Sequence, residues 1–325
     1  MSDGVGGRGD GLLSSIRIPA FALFLTNFLR YSAVAICLPG THDAGWARLE
    51  GMGMARGQRD SSKTRVRPVF DALWNMSRTW LPDLLMLPRL GVASGGIKVT
   101  GDLTLVEGHW EPNEQGLDPP VSLLSWLIRN LWTLGKSPGV ETDRAGVLSG
   151  DFAAIANALR RLRSEHASRA WWIFEGVTYP DVLLIAPDAL VVIEGKRTES
   201  GPTTRTSWLL GRQQIWRHLD AAWEIRGKRA VYGFFIVEGD ANDNGRSLPA
   251  VWREAVAKTV SADALAASFP HRSADETQGI AASFLGATTW QQVCDRFGLD
   301  RRQLPETVDG AVPNSPLQRT DCVGR

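Results

Sequence analysis

The chain has 325 residues, with 36 Lys and Arg against 35 Asp and Glu, for a formal net charge of +1. So even a balance excludes wholesale polyanion coating of the histone kind, while 43% hydrophobic content supports a sizeable core in one large or two smaller domains. Cys37, Cys294 and Cys322 are far apart and give no disulfide framework, zinc site or iron–sulfur site, and no P-loop or dinucleotide fingerprint is present.

Residues 1–67 are expected to be flexible. Residues 1–15 are Gly/Ser-rich, and Gly40 to Arg67 is polar. Ile18 to Leu29 is apolar but shorter than the roughly 20 residues a spanning helix needs, so no membrane anchor is expected and the location is cytoplasmic. A signal peptide cleaved near Ala33-Val-Ala35 is the competing reading of that run. Met52 and Met54 are alternative starts of the native protein.

Residues 68–148 read as an α+β subdomain. Val69 to Trp80 is helical, with Pro82 as its stop. Gly96 to Glu107 reads as a hairpin around Gly101-Asp102, and Gly108 to Gly116 as a loop. Pro120 starts a helix over Val121 to Leu134.

Residues 149–240 carry the chemistry. Asp151 is an N-cap for a helix over Phe152 to Ser164. A strand starts near Trp171 and ends at Glu175. Two apolar runs follow, Val182 to Ala186 and Leu190 to Ile193, short, β-branched and joined by the turn pair Pro187-Asp188. Being apolar at nearly every position, both should be covered on both faces. Counting outward from the hairpin tip sets Asp181 opposite Glu194, with Cβ atoms about 4.5–5.5 Å apart. Two carboxylates so placed repel, and the pKa of one rises. A hard divalent cation, Mg²⁺ or Mn²⁺, removes the conflict. Strand alternation puts Lys196 on the face of Glu194, where its ammonium can hold a water or neutralise phosphate. A proline at the tip leaves room for a one-residue slip in this register. The bland alternative is a turn residue at Asp181 and a solvated strand end at Glu194 and Lys196.

Pro180-Asp181 and Glu194-Gly195-Lys196 resemble the two motifs of the PD-(D/E)xK, or restriction-endonuclease-like, nuclease superfamily. Gly211-Arg-Gln-Gln-Ile-Trp-Arg-His218 resembles the Q-x-x-x-Y element of RecB-type exonucleases, with Gln214 and His218 as counterparts and histidine in place of tyrosine. The resemblance covers roughly residues 150–240. It implies a metal-dependent phosphodiesterase, with Asp181 and Glu194 as metal ligands and Lys196 catalytic. A third acid is often supplied near the first helix of that fold. Glu175 is favoured here over Glu165, since a carboxylate ending an apolar strand is poorly explained by packing.

Bases outnumber acids between Lys196 and Arg229, an excess that suits a phosphate backbone, with Arg197, Arg212 and His218 as expected nucleic-acid contacts. A helix with a solvated basic face accounts for the charge equally well. Gln214 and His218 share a helix face and Gln214 would position water or substrate; a satisfied core pair is the alternative. Most of the thirteen tryptophans should be core.

After a strand over Ala230 to Glu238, residues 241–304 read as helical: Pro249 to Val260, Ala262 to Ser268, Ala274 to Leu285 and Thr289 to Phe297. Trp290 to Leu304 is better read as a plain helix hairpin than as a helix-turn-helix. Residues 305–325 read as a loose tail. The expectation is an α/β protein with a mixed central sheet flanked by helices, acting as a Mg²⁺-dependent nuclease on DNA. A nuclease-fold protein that binds without cutting is the alternative.

Overall fold

Val182–Ala186 (β2) and Ala189–Gly195 (β3) pair antiparallel around the tip at Pro187-Asp188, with Val182 opposite Ile193 and Ala186 opposite Ala189. The register is the one counted from the sequence, without a slip. It forms the middle of the molecule in a computed structural model that describes residues 60–90, 100–131, 142–162, 175–206 and 209–308. The described residues all belong to one compact unit.

Three more strands complete a five-stranded sheet, all neighbours in sequence order: β1 (Glu107–Trp110), β2, β3, β4 (Ala230–Val237) and β5 (Phe284–Thr289). β1, β2 and β3 run antiparallel, while β3, β4 and β5 run parallel. The parallel pairs need crossovers, and helices supply them. α6 (Gln214–Ile225) joins β3 to β4. α7 (Ala250–Thr259), α8 (Ala262–Ser268) and α9 (Ala274–Ala282) join β4 to β5. The sheet is mixed and flanked by helices, an α/β arrangement.

Alternation along β2 and β3 explains why their sequences are almost wholly apolar. Val182, Leu184, Val191 and Ile193 face one side, against α1 (Arg67–Met76), α2 (Leu81–Leu85) and α10 (Trp290–Phe297). Leu183 and Val192 face the other, against Ile215, Trp216 and Leu219 of α6, Trp252 of α7 and Ile280 of α9. Burying a side chain of this size removes about 1.5–3 kcal/mol of unfavourable hydration. A third apolar cluster ties α3 (Val121–Arg129) to α4 (Thr142–Leu148) and α5 (Phe152–Leu162). Asp151 caps α5 as expected, its Oδ1 accepting from the amides of Ala153 and Ala154 at 2.7 and 3.0 Å.

The structure differs from the sequence reading at several places. The first ordered segment begins before residue 68: Ser62–Val66 forms a π-helical turn leading into α1. Pro82 lies in the first turn of α2 rather than after a helix, while α1 already ends at Met76. The described part of the hairpin expected over Gly96 to Glu107, residues 100–106, forms no strand, and β1 occupies Glu107–Trp110, where a loop is expected. Gly101-Asp102 instead docks on the β2–β3 tip, where the Asp102 amide donates to Asp188 Oδ2 at 2.6 Å. Phe284–Thr289, read as helix ends, is the strand β5; it abuts helices on both sides with no turn residues to announce it. At the C-terminal end, Pro305 and Glu306 hold fixed contacts to Arg65 and Arg197 instead of belonging to a loose tail. α10 is followed by a single 3₁₀ turn, Arg301–Gln303, with no second full helix beside it. The helix expected over Val121 to Leu134 ends at Arg129, with Asn130 already out of helical conformation; the expected strand from Trp171, Glu165, residues 132–134 and the segment before residue 60 lie outside the described residues. Among the described residues, no helix is long and apolar enough to cross a membrane.

Candidate active site

The end of β3 brings three of the sequence-predicted residues together. Glu194 follows Val192 by two, so it faces α6 and is buried. Lys196 shares that side, and its Nζ lies 2.7 Å from Glu194 Oε1. Asp181 stands just before β2, next to Val182, which is paired with Ile193. Its Oδ2 accepts from the Gly195 amide at 2.8 Å. Its Oδ1 has a 3.4 Å contact from the Ser62 hydroxyl, contributed by the turn that precedes α1. Gly195, between the two motif residues, runs so close to its neighbours that a Cβ there would sit 2.7 Å from Val66 Cγ2 and 2.9 Å from Trp290 Cζ2.

The two carboxylates are driven apart electrostatically. Burial opposes the charge of Glu194, but His218 first and Lys196 next outweigh it and hold the group below its ordinary range. Asp181 has no such compensation. Burial, then the charge of Glu194, push it up to about 8, despite Lys196 and the Gly195 amide. Burial also works against the Lys196 ammonium, yet Glu194 and Asp181 raise it above a normal lysine. Lys196 is therefore a fixed cation and hydrogen-bond donor, not a base.

Asp181 and Glu194 are the hard oxygen donors that could hold a divalent ion, and the Asp181 carboxyl is raised first by burial and then by the charge of Glu194. Among the described residues, no cluster of three or more His, Cys, Asp or Glu side chains is arranged for a metal. An ion held by two carboxylates, with water and substrate oxygens completing its shell, is the habit of Mg²⁺ rather than of a protein-caged metal.

The structure reassigns three expected residues. Glu175 is buried and gripped by Arg212, with Nε–Oε2 at 2.7 Å and Nη2–Oε1 at 2.8 Å. Arg217 Nε adds a 3.6 Å ion pair to the same carboxylate. A buried guanidinium needs such partners, so this carboxylate serves an internal ion network and not a metal. Arg212 is itself 0% exposed and also bonds Asp220 Oδ2 at 3.0 Å and the Ser268 carbonyl at 2.5 Å, so it presents nothing to a nucleic acid. His218 is equally buried. Its Nε2 lies 3.0 Å from Glu194 Oε2 and its Nδ1 2.9 Å from Thr178 Oγ1. It is a partner of the acid, not a phosphate contact. Arg197 donates to Thr64 Oγ1 at 3.1 Å and to Glu306 Oε2 at 2.5 Å. Gln214 opens α6, one turn before His218 and half-buried.

Ser62, Thr178, Arg65 and Glu306 were not found from sequence. Ser62, Arg65 and Glu306 reach the region from distant parts of the chain, and a lone Thr178 three residues before Asp181 carries no local signal.

No protein-family model, curated protein or solved structure matches this chain.

Proposed function

We propose that this protein is a metal-dependent nuclease that hydrolyses DNA phosphodiester bonds. The reading rests on one observation: Asp181 and Glu194 meet at the end of a hairpin with Lys196 Nζ 2.7 Å from the glutamate. Asp181 and Glu194 would hold Mg²⁺ or Mn²⁺. Bound there, the ion supplies Lewis-acid polarisation of a phosphoryl oxygen and a more acidic water. Lys196, kept charged by both carboxylates, orients the attacking water through an N–H and neutralises charge growing on the phosphate. His218 holds the Glu194 carboxylate in place through Oε2. Gln214, on the same flank of α6, is the group for positioning substrate.

The position in the sheet supports this reading. The C-terminal ends of parallel strands are where open α/β sheets bind ligands, and β3 and β4 end side by side there.

A second reading is favoured by a specific feature. Both Glu194 oxygens already have a cationic or imidazole partner, Lys196 and His218. A carboxylate so satisfied suits a protein that keeps the fold and binds nucleic acid or a partner without cutting it. Incubation of plasmid and single-stranded DNA with Mg²⁺ separates the two. Cleavage by the wild type that disappears in Glu194→Ala and Lys196→Ala supports the nuclease. Equal activity in all three rejects this site, and no cleavage with no calorimetric Mg²⁺ binding leaves the non-cutting reading.

A further inference from the structure

We infer that Arg65 and Arg197 form a phosphate subsite beside the carboxylate pair, and that Glu306 of the chain's own C-terminal segment occupies it in place of a nucleic-acid phosphate. The inference rests on the nuclease reading for its substrate, and on separate residues for its geometry.

The two guanidiniums converge on one carboxylate. Arg197 Nη2 lies 2.5 Å from Glu306 Oε2, and Arg197 Nη1 donates to the Glu306 carbonyl at 2.8 Å. Arg65 Nη2 is 3.6 Å from Glu306 Oε1, and Arg65 Nη1 donates to the Pro305 carbonyl at 2.7 Å. Thr64 adds its hydroxyl as an acceptor for Arg197. Glu238 Oε2, 2.8 Å from Arg65 Nε, neutralises one of the two cations from inside. The second negative charge comes from Glu306.

The burial is lopsided. The side chains of Arg65 and Arg197 are 4% and 5% exposed, whereas that of Glu306 is 79% exposed. A buried guanidinium is costly without an anion, so some anion must sit here. The present one is held by its carboxylate and by the Pro305 and Glu306 carbonyls, on an exposed segment whose release leaves the three apolar clusters in place. Arg197 Nη2 and, at longer range, Arg65 Nη2 each face one oxygen of the carboxylate, an arrangement that could also serve the two non-bridging oxygens of a phosphodiester.

The position is right for a neighbouring phosphate. Arg197 follows Lys196 directly. Arg65 lies three residues after Ser62, whose hydroxyl points to Asp181 Oδ1. The ladder with β4 continues through Lys196, so Arg197 turns to the face opposite Lys196, and the arginine pair lies around the end of β3 from the carboxylate pair. A strand whose scissile phosphate lies at Asp181 and Glu194 would pass over the end of β3 and meet the arginines with a neighbouring phosphate, once Glu306 withdraws.

The experiment measures binding of a short fluorescein-labelled single-stranded DNA to the full-length chain by anisotropy in EDTA, where nothing is cut. Glu306→Ala and Glu306→Gln are expected to bind about 3–10-fold tighter than wild type, with the slope of log K against log salt steeper by about one contact. Arg197→Ala binds more weakly, and Arg197→Ala/Glu306→Ala loses the gain. Unchanged or weaker binding by both Glu306 variants overturns the subsite, as does a gain that survives in the double variant. A wild type that cuts with Mg²⁺ while the Glu306 variants bind no tighter refutes the subsite and leaves the nuclease standing. Tighter binding with no cutting by any form supports the subsite and refutes the nuclease.

Discussion

His218 Nε2 lies 3.0 Å from Glu194 Oε2, and both side chains are buried. With Thr178 Oγ1 at 2.9 Å from Nδ1, a neutral imidazole can donate to the glutamate and accept from the threonine hydroxyl. One helix thus fixes the rotamer of one strand carboxylate. Such outer partners commonly change metal affinity 10–100-fold when removed.

Replacing His218 by Leu should therefore weaken Mn²⁺ binding by about tenfold or more and cost about 1–3 kcal/mol, because two buried polar groups lose their partner. His218→Gln, which keeps a donor, should recover part of the affinity. Calorimetric titration with Mn²⁺ and urea unfolding measure the two effects separately. Wild-type affinity in the Leu variant would remove His218 from any role at the ion.

Asp181→Asn should stabilise the metal-free protein while abolishing its response to Mg²⁺. The folded carboxyl is raised from 3.8 to about 8 by burial and by Glu194. A raised acid keeps its proton in the fold, so wild-type stability is present at low pH and lost as pH rises from about 4 through about 8. The advantage of the Asn variant should grow over that window, to on the order of 3 kcal/mol at pH 8. Melting curves in EDTA and in Mg²⁺ test it, and equal melting of the two proteins at pH 8 without metal would count against the carboxylate conflict.

Asp220 gives the opposite slope. Burial opposes its charge, but His271, then Arg212 and Arg272, overcome it and lower the carboxyl from 3.8 to about 2. A lowered acid stabilises the fold above its unfolded value and loses that contribution as pH falls from about 4 to about 2, roughly 2 kcal/mol in all. Asp220→Asn should flatten the acid limb of urea unfolding between those pH values. It should also cost about 1–3 kcal/mol at neutral pH, since Arg212 and Arg272 lose a shared charged acceptor while Glu175 and Glu224 still pair with them.

Gly195→Ala should destabilise by about 1–3 kcal/mol, because its methyl would enter space held by Val66 and Trp290. Val66→Ala in the same chain should recover part of that loss. Denaturant titration of the single and double variants gives the coupling, and strict additivity would mean the strain lies elsewhere.

The hairpin shows how far a sequence can carry. Its register was countable because strand side chains alternate strictly and Pro187-Asp188 marks the tip, so Asp181, Glu194 and Lys196 could be brought together on paper. The helix cap at Asp151 was local in the same sense. β5 was not legible: Phe284–Thr289 has no alternation of its own, and its strand state comes from pairing with β4.

The chain by itself determined which residues bear charge at the end of β3, because local pattern sets which way a strand side chain points. Tertiary structure alone decided what those charges touch. Glu175 found Arg212 rather than a metal, His218 found Glu194 rather than solvent, and Arg197 found Glu306, since a charge removed from water pairs with whatever opposite charge the fold brings within reach. That choice depends on distances between segments far apart in sequence, which no local pattern records.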